Sequence, residues 1–180
     1  MTPRRSLIRS AWRNERGVAA VEFALMLPLL LMVYLGGYET VQAVSAYRKL
    51  STTTIEMANV TSQYTTMSAT DVSNVFNASS QIMSPYPTAN LSAVMSEITT
   101  NAAGVATVTW SQPFNGATAL ATGSTVTLPA GMGQPSTNYI LITTAYTWVP
   151  FVTWQQFGSV PMNDQIYMLP RQSSSIPYTG

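Results

Sequence analysis

From Val18 to Gly37 the chain runs for twenty residues with Glu22 as its single charge, and an apolar stretch of that length has few places to fold. As a helix it would reach about 30 Å, the hydrocarbon thickness of a bilayer. A carboxylate at the centre of such a span costs about 2.5–3.5 kcal/mol, and less near an end, so a lone one calls for a partner or a purpose. Arg4, Arg5, Arg9, Arg13 and Arg16 precede the run against one acid, Glu15. That bias sets the amino terminus in the cytoplasm and everything after Tyr38 on the far side of the membrane. Trp12 on one side and Tyr34 and Tyr38 on the other fit the two interfaces, where amphipathic aromatic rings collect. A secretory signal would need a small-residue cleavage site after the run. The nearest, Ala43-Val44-Ser45-Ala46, lies well past Leu35 and inside a continuing helical pattern.

The junction Arg13-Asn14-Glu15-Arg16-Gly17-Val18-Ala19-Ala20-Val21-Glu22-Phe23 joins this basic leader to the span. Gly17 has no side chain to obstruct entry of the backbone into a narrow protease site at the membrane surface. Cleavage after Gly17 would free the amine of Val18. In an assembly, that ammonium can neutralise Glu22 of an adjacent subunit within lipid, where either charge alone is costly. Val18 and Glu22 are also four positions apart, which permits the same contact within one helix. The plainer alternative is that Glu22 complements the dipole at the start of the helix, near the headgroups.

A glycine before the apolar run and a glutamate at the fifth position after it form the type IV prepilin pattern. The segment Arg16-Gly17-Val18-Ala19-Ala20-Val21-Glu22-Phe23-Ala24-Leu25, with Pro28-Leu29-Leu30-Leu31, resembles the amino terminus of the TadE/TadG family of tight-adherence pilus assembly proteins. Ala46-Tyr47-Arg48-Lys49-Leu50, Ser84-Pro85-Tyr86, Val108-Thr109-Trp110-Ser111, Leu128-Pro129 and Pro170-Arg171-Gln172-Ser173 resemble further blocks in the same order, extending the likeness over nearly the whole chain. The resemblance implies a bacterial inner-membrane pseudopilin, cut between Gly17 and Val18 by a prepilin peptidase. Such a protein helps to assemble, initiate or anchor a Flp-type IV pilus, with other pilins and the assembly platform as partners. Major Flp pilins are very short and tend to carry tyrosine after the glutamate. This chain is long and has Phe23, which favours a minor pseudopilin, either incorporated in the filament or retained at its base.

Composition narrows the alternatives. With neither histidine nor cysteine, the chain cannot build a Ser-His-Asp triad, a thiolate nucleophile or the usual zinc site. Its carboxylates are scattered, there is no phosphate-cradling glycine loop, and Lys49 beside Ser51 falls on a helical pattern rather than in a pocket. The expectation is a protein that is not an enzyme, with no metal and no cofactor. Beyond Gly17, three basic side chains face six carboxylates, a net of about −3, which offers no footprint for nucleic acid.

The expected organisation is a basic leader (residues 1–17), a transmembrane helix (18–37), a stalk helix (38–67), an α+β head (68–170) and a loose tail (171–180). Val41, Val44, Tyr47, Leu50, Ile55, Ala58 and Val60 recur at three- and four-residue spacing, so the membrane helix is expected to continue outward and present this stripe. Pro28 lacks the donor for a bond to Ala24, which predicts a kink or is simply tolerated, as prolines in membrane helices are. A second helix is expected over 70–83, capped by Ser68 or Thr70 with Asp71 in its first turn and stopped by Pro85 and Pro87. Strand patterns follow at 91–99, 105–110, 125–128 and 139–149, with a last edge strand at 165–169. The fold class is therefore α+β: one long amino-terminal helix packed on a small antiparallel sheet in the manner of pilins.

Tyr146, Trp148, Phe151, Trp154 and Phe157 concentrate aromatic surface late in the chain. They form either the core of the head or a binding face, and exposure of Trp148, Phe151 and Trp154 would favour an adhesin at the pilus tip or cell surface. An uncleaved envelope protein anchored by its helix is the remaining alternative. Arg171, the only basic residue after Lys49, has Asp164 and Glu97 as candidate partners.

Overall fold

The computed structural model describes residues 15–151 and 158–180. The chain divides into two compact units, one up to Gln42 and one from Ala43 onward. Helix α1 (Glu15–Thr61) runs through the boundary, and Pro28 does not end it. In the first unit α1 is apolar on every side from Val18 to Gly37, with Glu22 as its one charge. In the second it carries a buried face on the head. The chain is thus α+β, with a long apolar amino-terminal helix followed by a small antiparallel sheet.

After α1 come helix α2 (Ala69–Ser80), which tightens into a 3-10 turn over Gln81–Met83, and strands β1 (Leu91–Thr100), β2 (Ala106–Phe114), β3 (Thr125–Val126), β4 (Asn138–Trp148) and β5 (Val160–Met168). The sheet order is β3-β2-β1-β4-β5, and all pairings are antiparallel. α2 starts where a capping box forms: Ser68 Oγ accepts from the Asp71 amide at 3.2 Å, and Asp71 Oδ2 accepts from the Ser68 amide at 2.9 Å. The Ser68 hydroxyl and amide, both donating to Asp71, hold its carboxyl below the ordinary range.

The buried face of α1 is Ala46, Leu50, Thr53, Thr54, Met57, Ala58 and Thr61. Of the stripe read from the sequence, Leu50 and Ala58 are buried, whereas Val41, Val44, Tyr47, Ile55 and Val60 are exposed. The threonines displace them because each donates its hydroxyl to the carbonyl four residues back, at 2.8 Å for Thr53, 2.9 Å for Thr54 and 2.7 Å for Thr61. A buried threonine satisfied in this way packs as a small β-branched residue. Thr54 also shares a 2.6 Å hydrogen bond with Thr144 of β4. Leu50, Met57 and Ala58 then join Val72, Val75 and Phe76 of α2 and Leu91, Met95, Ile140, Ile142, Tyr146 and Trp148 of the sheet in the main core.

The stalk ends at Thr61, not Met67. The Ser62 carbonyl just beyond it accepts from the Arg171 amide at 2.8 Å, and Arg171 Nη2 donates to Asn59 Oδ1 at 3.1 Å. Arg171 therefore caps the end of α1 with an amide and a cation, a better use than the pairing with Asp164 or Glu97 expected for it.

A register shift between Glu97 and Ile98 decides the rest of the core. Glu97 pairs with Trp110 but Ile98 with Val108, leaving Thr109 as an extra residue in β2. Trp110 consequently joins the core against α1, while Ile98, Ala106, Val108, Tyr139 and Leu141 form a second cluster under Leu128 and Met132 of the β3–β4 connection. Where that connection meets the β1–β2 turn, Gly104 has φ +77° and a Cβ there would stand 3.0 Å from the Gly133 carbonyl oxygen, so only glycine fits.

The tail, expected to be loose, is docked. Glu97 is 1% exposed, and its two oxygens accept from the Trp110 indole N–H at 3.0 Å and the Ile176 amide at 2.7 Å, while the same indole donates to the Ile176 carbonyl at 2.8 Å. Ile176 is fully buried, and Met67 exchanges backbone bonds with Pro177 and Thr179 at 2.9 and 2.8 Å. The Ser173-Ser174-Ser175 composition gave no sign of this, because the anchor lies one residue beyond it. Truncating Ile176→Ala should cost about 2–5 kcal/mol in chemical denaturation of the detergent-solubilised chain.

Burial raises the Glu97 pKa from its ordinary 4.5, outweighing the two hydrogen bonds that lower it. The folded carboxyl keeps its proton to higher pH than the unfolded one. Its contribution to stability is therefore full below 4.5 and lost as pH rises through the folded value. Relative to Glu97→Gln, which does not titrate, the native chain should lose stability as pH rises above 4.5 and then level off, as read from denaturation midpoints across that range.

Candidate functional site: the amino-terminal helix

The residues singled out by the sequence fall on α1, apart from Trp12, which lies outside the described residues. Gly17 and Val18 are exposed on its first turns, and a Cβ added at Gly17 would meet nothing within 4 Å. Glu22 and Phe23 are exposed one turn further on, with Val18 and Glu22 on the same side of the helix as their four-residue spacing requires. Tyr34 and Tyr38 are exposed at the far end of the apolar run, where the Tyr38 hydroxyl accepts from Gln42 Nε2 at 2.8 Å. Thr40 Oγ1 there donates to the Gly36 carbonyl at 2.8 Å, and the first polar side chains replace the apolar surface.

Between these limits the helix is exposed among the described residues. Val18, Val21, Phe23, Leu25, Met26, Leu29, Leu30, Leu31, Met32 and Val33 are all exposed and point to every side. A helix apolar all round needs an apolar medium, and α1 has both the length and the composition to cross a membrane. Such a surface has no groups for chemistry. It can be embedded, and it can pack against like helices, with Glu22 as its one charged feature.

Comparison with known proteins bears on this helix. A family model described as TadE-like protein matches residues 17–59. The chain carries a TadE-like segment. The match opens on Gly17 and ends two residues before α1 does, so the TadE-like segment and α1 are nearly one object. The likeness read from the sequence over nearly the whole chain is thus supported for this segment alone. Of the downstream blocks, Ser84-Pro85-Tyr86 lies in the link between α2 and β1, Val108 to Ser111 in β2, Leu128-Pro129 in the β3–β4 connection and Arg171 at the cap of α1. No curated protein and no solved structure matches the chain.

The aromatic concentration outside the TadE-like segment separates into two kinds of residue. Tyr146 and Trp148 belong to the core, with Trp148 only 7% exposed, whereas Phe151 is 91% exposed. Trp154 and Phe157 lie outside the described residues. Among the described residues no cluster of acidic side chains could hold a metal ion. Trp148→Ala should destabilise the head by about 3–5 kcal/mol, whereas Phe151→Ala should stay within about 0.5 kcal/mol of the native chain. Thermal or chemical denaturation of the two variants side by side checks both.

Proposed function

We propose that the chain is a minor pseudopilin of a tight-adherence (Flp-type IV) pilus, held in a bacterial inner membrane by α1 with its amino terminus in the cytoplasm and its head in the periplasm. In this reading a prepilin peptidase cleaves between Gly17 and Val18. The new ammonium of Val18 pairs with Glu22, in the same helix or in a neighbouring one, while α1 packs with other pilins to help assemble, initiate or anchor the filament. The role is mechanical rather than catalytic. The observation that carries it is the coincidence of the TadE-like match, opening on Gly17, with an apolar helix whose side chains are exposed among the described residues. The adhesin alternative loses support from Trp148, which is taken up by the core and leaves Phe151 as the exposed aromatic residue of that set among the described residues.

The deciding measurement is the amino terminus and intact mass of the membrane-extracted protein from cells with and without their prepilin peptidase. A chain beginning at Val18 only in the presence of the enzyme is the expected result. An unprocessed chain in both would overturn the pseudopilin reading. Gly17→Ala should block processing while leaving the denaturation midpoint of the head unchanged, because the space around Gly17 is open. Glu22→Gln should leave processing intact and reduce recovery of the protein with its pilin partners, read by co-purification after crosslinking.

A further inference from the structure

Among the described residues of the head, Phe151 is the most exposed aromatic side chain, and it follows directly on the end of β4. Two contacts fix the relation of β4 to the head portion of α1. Thr61 Oγ1, whose proton goes to the Met57 carbonyl, lies 3.6 Å from Met95 Sδ, and Met95 pairs with Ile142, whereas Thr54 bonds Thr144. Two steps forward along β4 therefore correspond to seven steps back along α1. The end of β4 thus runs toward the Ala46 end of the head's helix, and Trp148 shares the core with Leu50 and Ala46. Phe151 follows three residues after Trp148, just past the end of β4, and is 91% exposed, with Val149 at 53%. Val160, the partner of Trp148 on the returning strand, is 42% exposed. No Asp, Glu, Lys or Arg occurs anywhere from Ile98 to Asn163, so this tip faces outward with no charge of its own.

We propose that this tip, Val149 and Phe151 with Val160, is a second membrane contact that inserts into the interfacial layer of the leaflet facing the head. The tether supports that occupant. Nine steps of chain separate Gly37, at the end of the apolar run, from Ala46 in the head core, and they span at most about 30 Å in any conformation. The lipid surface is thus permanently within reach of the tip, at a local concentration no free partner matches. Phenylalanine and valine without charge suit burial at the headgroup and acyl boundary, and such a contact does not weaken with salt. The inference rests on α1 spanning the bilayer, and it adds a role for the head while the filament is not yet formed: the tip keeps the head down on the membrane, and extraction into a pilus has to release it.

The absence of cysteine lets single labels be placed cleanly. Phe151→Cys, Ala102→Cys in the exposed turn at the opposite end of the sheet, and Leu30→Cys in the apolar run would each carry an environment-sensitive fluorophore on the full chain. The labelled chains are reconstituted in phosphatidylcholine vesicles with doxyl groups near the headgroup or deep in the acyl chains. The expected result is that deep doxyl lipid quenches the label at 30, shallow doxyl lipid quenches the label at 151, and iodide quenches the label at 151 several-fold less than that at 102, unchanged by added salt. A label at 151 as open to iodide as that at 102 would overturn the proposal. So would one shielded from iodide but indifferent to doxyl lipid, which would mean that protein covers it. If the label at 30 is not quenched, membrane insertion itself fails, and that failure is told apart from the others by this label alone.

Discussion

A single helix that must satisfy two solvents sets the terms for everything else in this chain. Over its first unit α1 exposes apolar side chains on all sides, which only a bilayer or other apolar helices can cover. From Ala43 onward the same element is amphipathic and needs a partner for one face. The sheet, α2 and the tail supply it. The head can be understood as what is required to bury Ala46, Leu50, Met57, Ala58 and three threonines, using almost no charge and no disulfide.

With so few ionic contacts, the polar groups of the head are satisfied at close range. The buried threonines return their hydroxyls to their own helix, so β-branched bulk is gained without an unpaired donor. The one buried carboxylate among the described residues, Glu97, is placed at the bulge where β2 changes face, and the same shift that turns Trp110 toward α1 brings its indole N–H to Glu97. The Ile176 amide completes the junction, so the end of the chain is pinned to the centre of the sheet. Removing a partner would leave a buried polar group unsatisfied, which is why the contact is more costly to break than its net contribution implies.

Much of this was legible in residue order. The length and purity of the apolar run announced α1, Ser68 with Asp71 announced α2, and β-branched alternation announced the strands of the sheet. What escaped had physical causes. The alternation of Ala106, Val108 and Trp110 reads as one face of a strand, but an extra residue at Thr109 puts Trp110 on the other, and no local pattern marks a bulge whose cause is a tertiary junction. Threonines counted as polar occupy the buried face of α1, because their satisfaction by the preceding turn is invisible to a hydrophobicity pattern. The tail was read from its serines, whereas its docking depends on one isoleucine and on an acceptor 79 residues earlier in sequence. For the site, the glycine, the glutamate and the apolar run were all readable at the amino terminus. The aromatic cluster was not, since its members divide between core and surface according to where β4 ends.

The extent of the family match has a physical reading of its own. It follows α1 from Gly17 almost to the end of the helix and stops where the head's separate elements begin. The apolar half of α1 is constrained by what lies outside the chain, since a helix exposed on all sides needs an apolar medium of matching thickness or like helices around it. The head answers mainly to the face of α1 that it covers. Many sheets with different strand lengths, bulges and tails would bury that face equally well. The surfaces of the head from Val60 onward, the tip at Phe151 among them, lie outside the matched segment, and what they do has to be argued from the head itself.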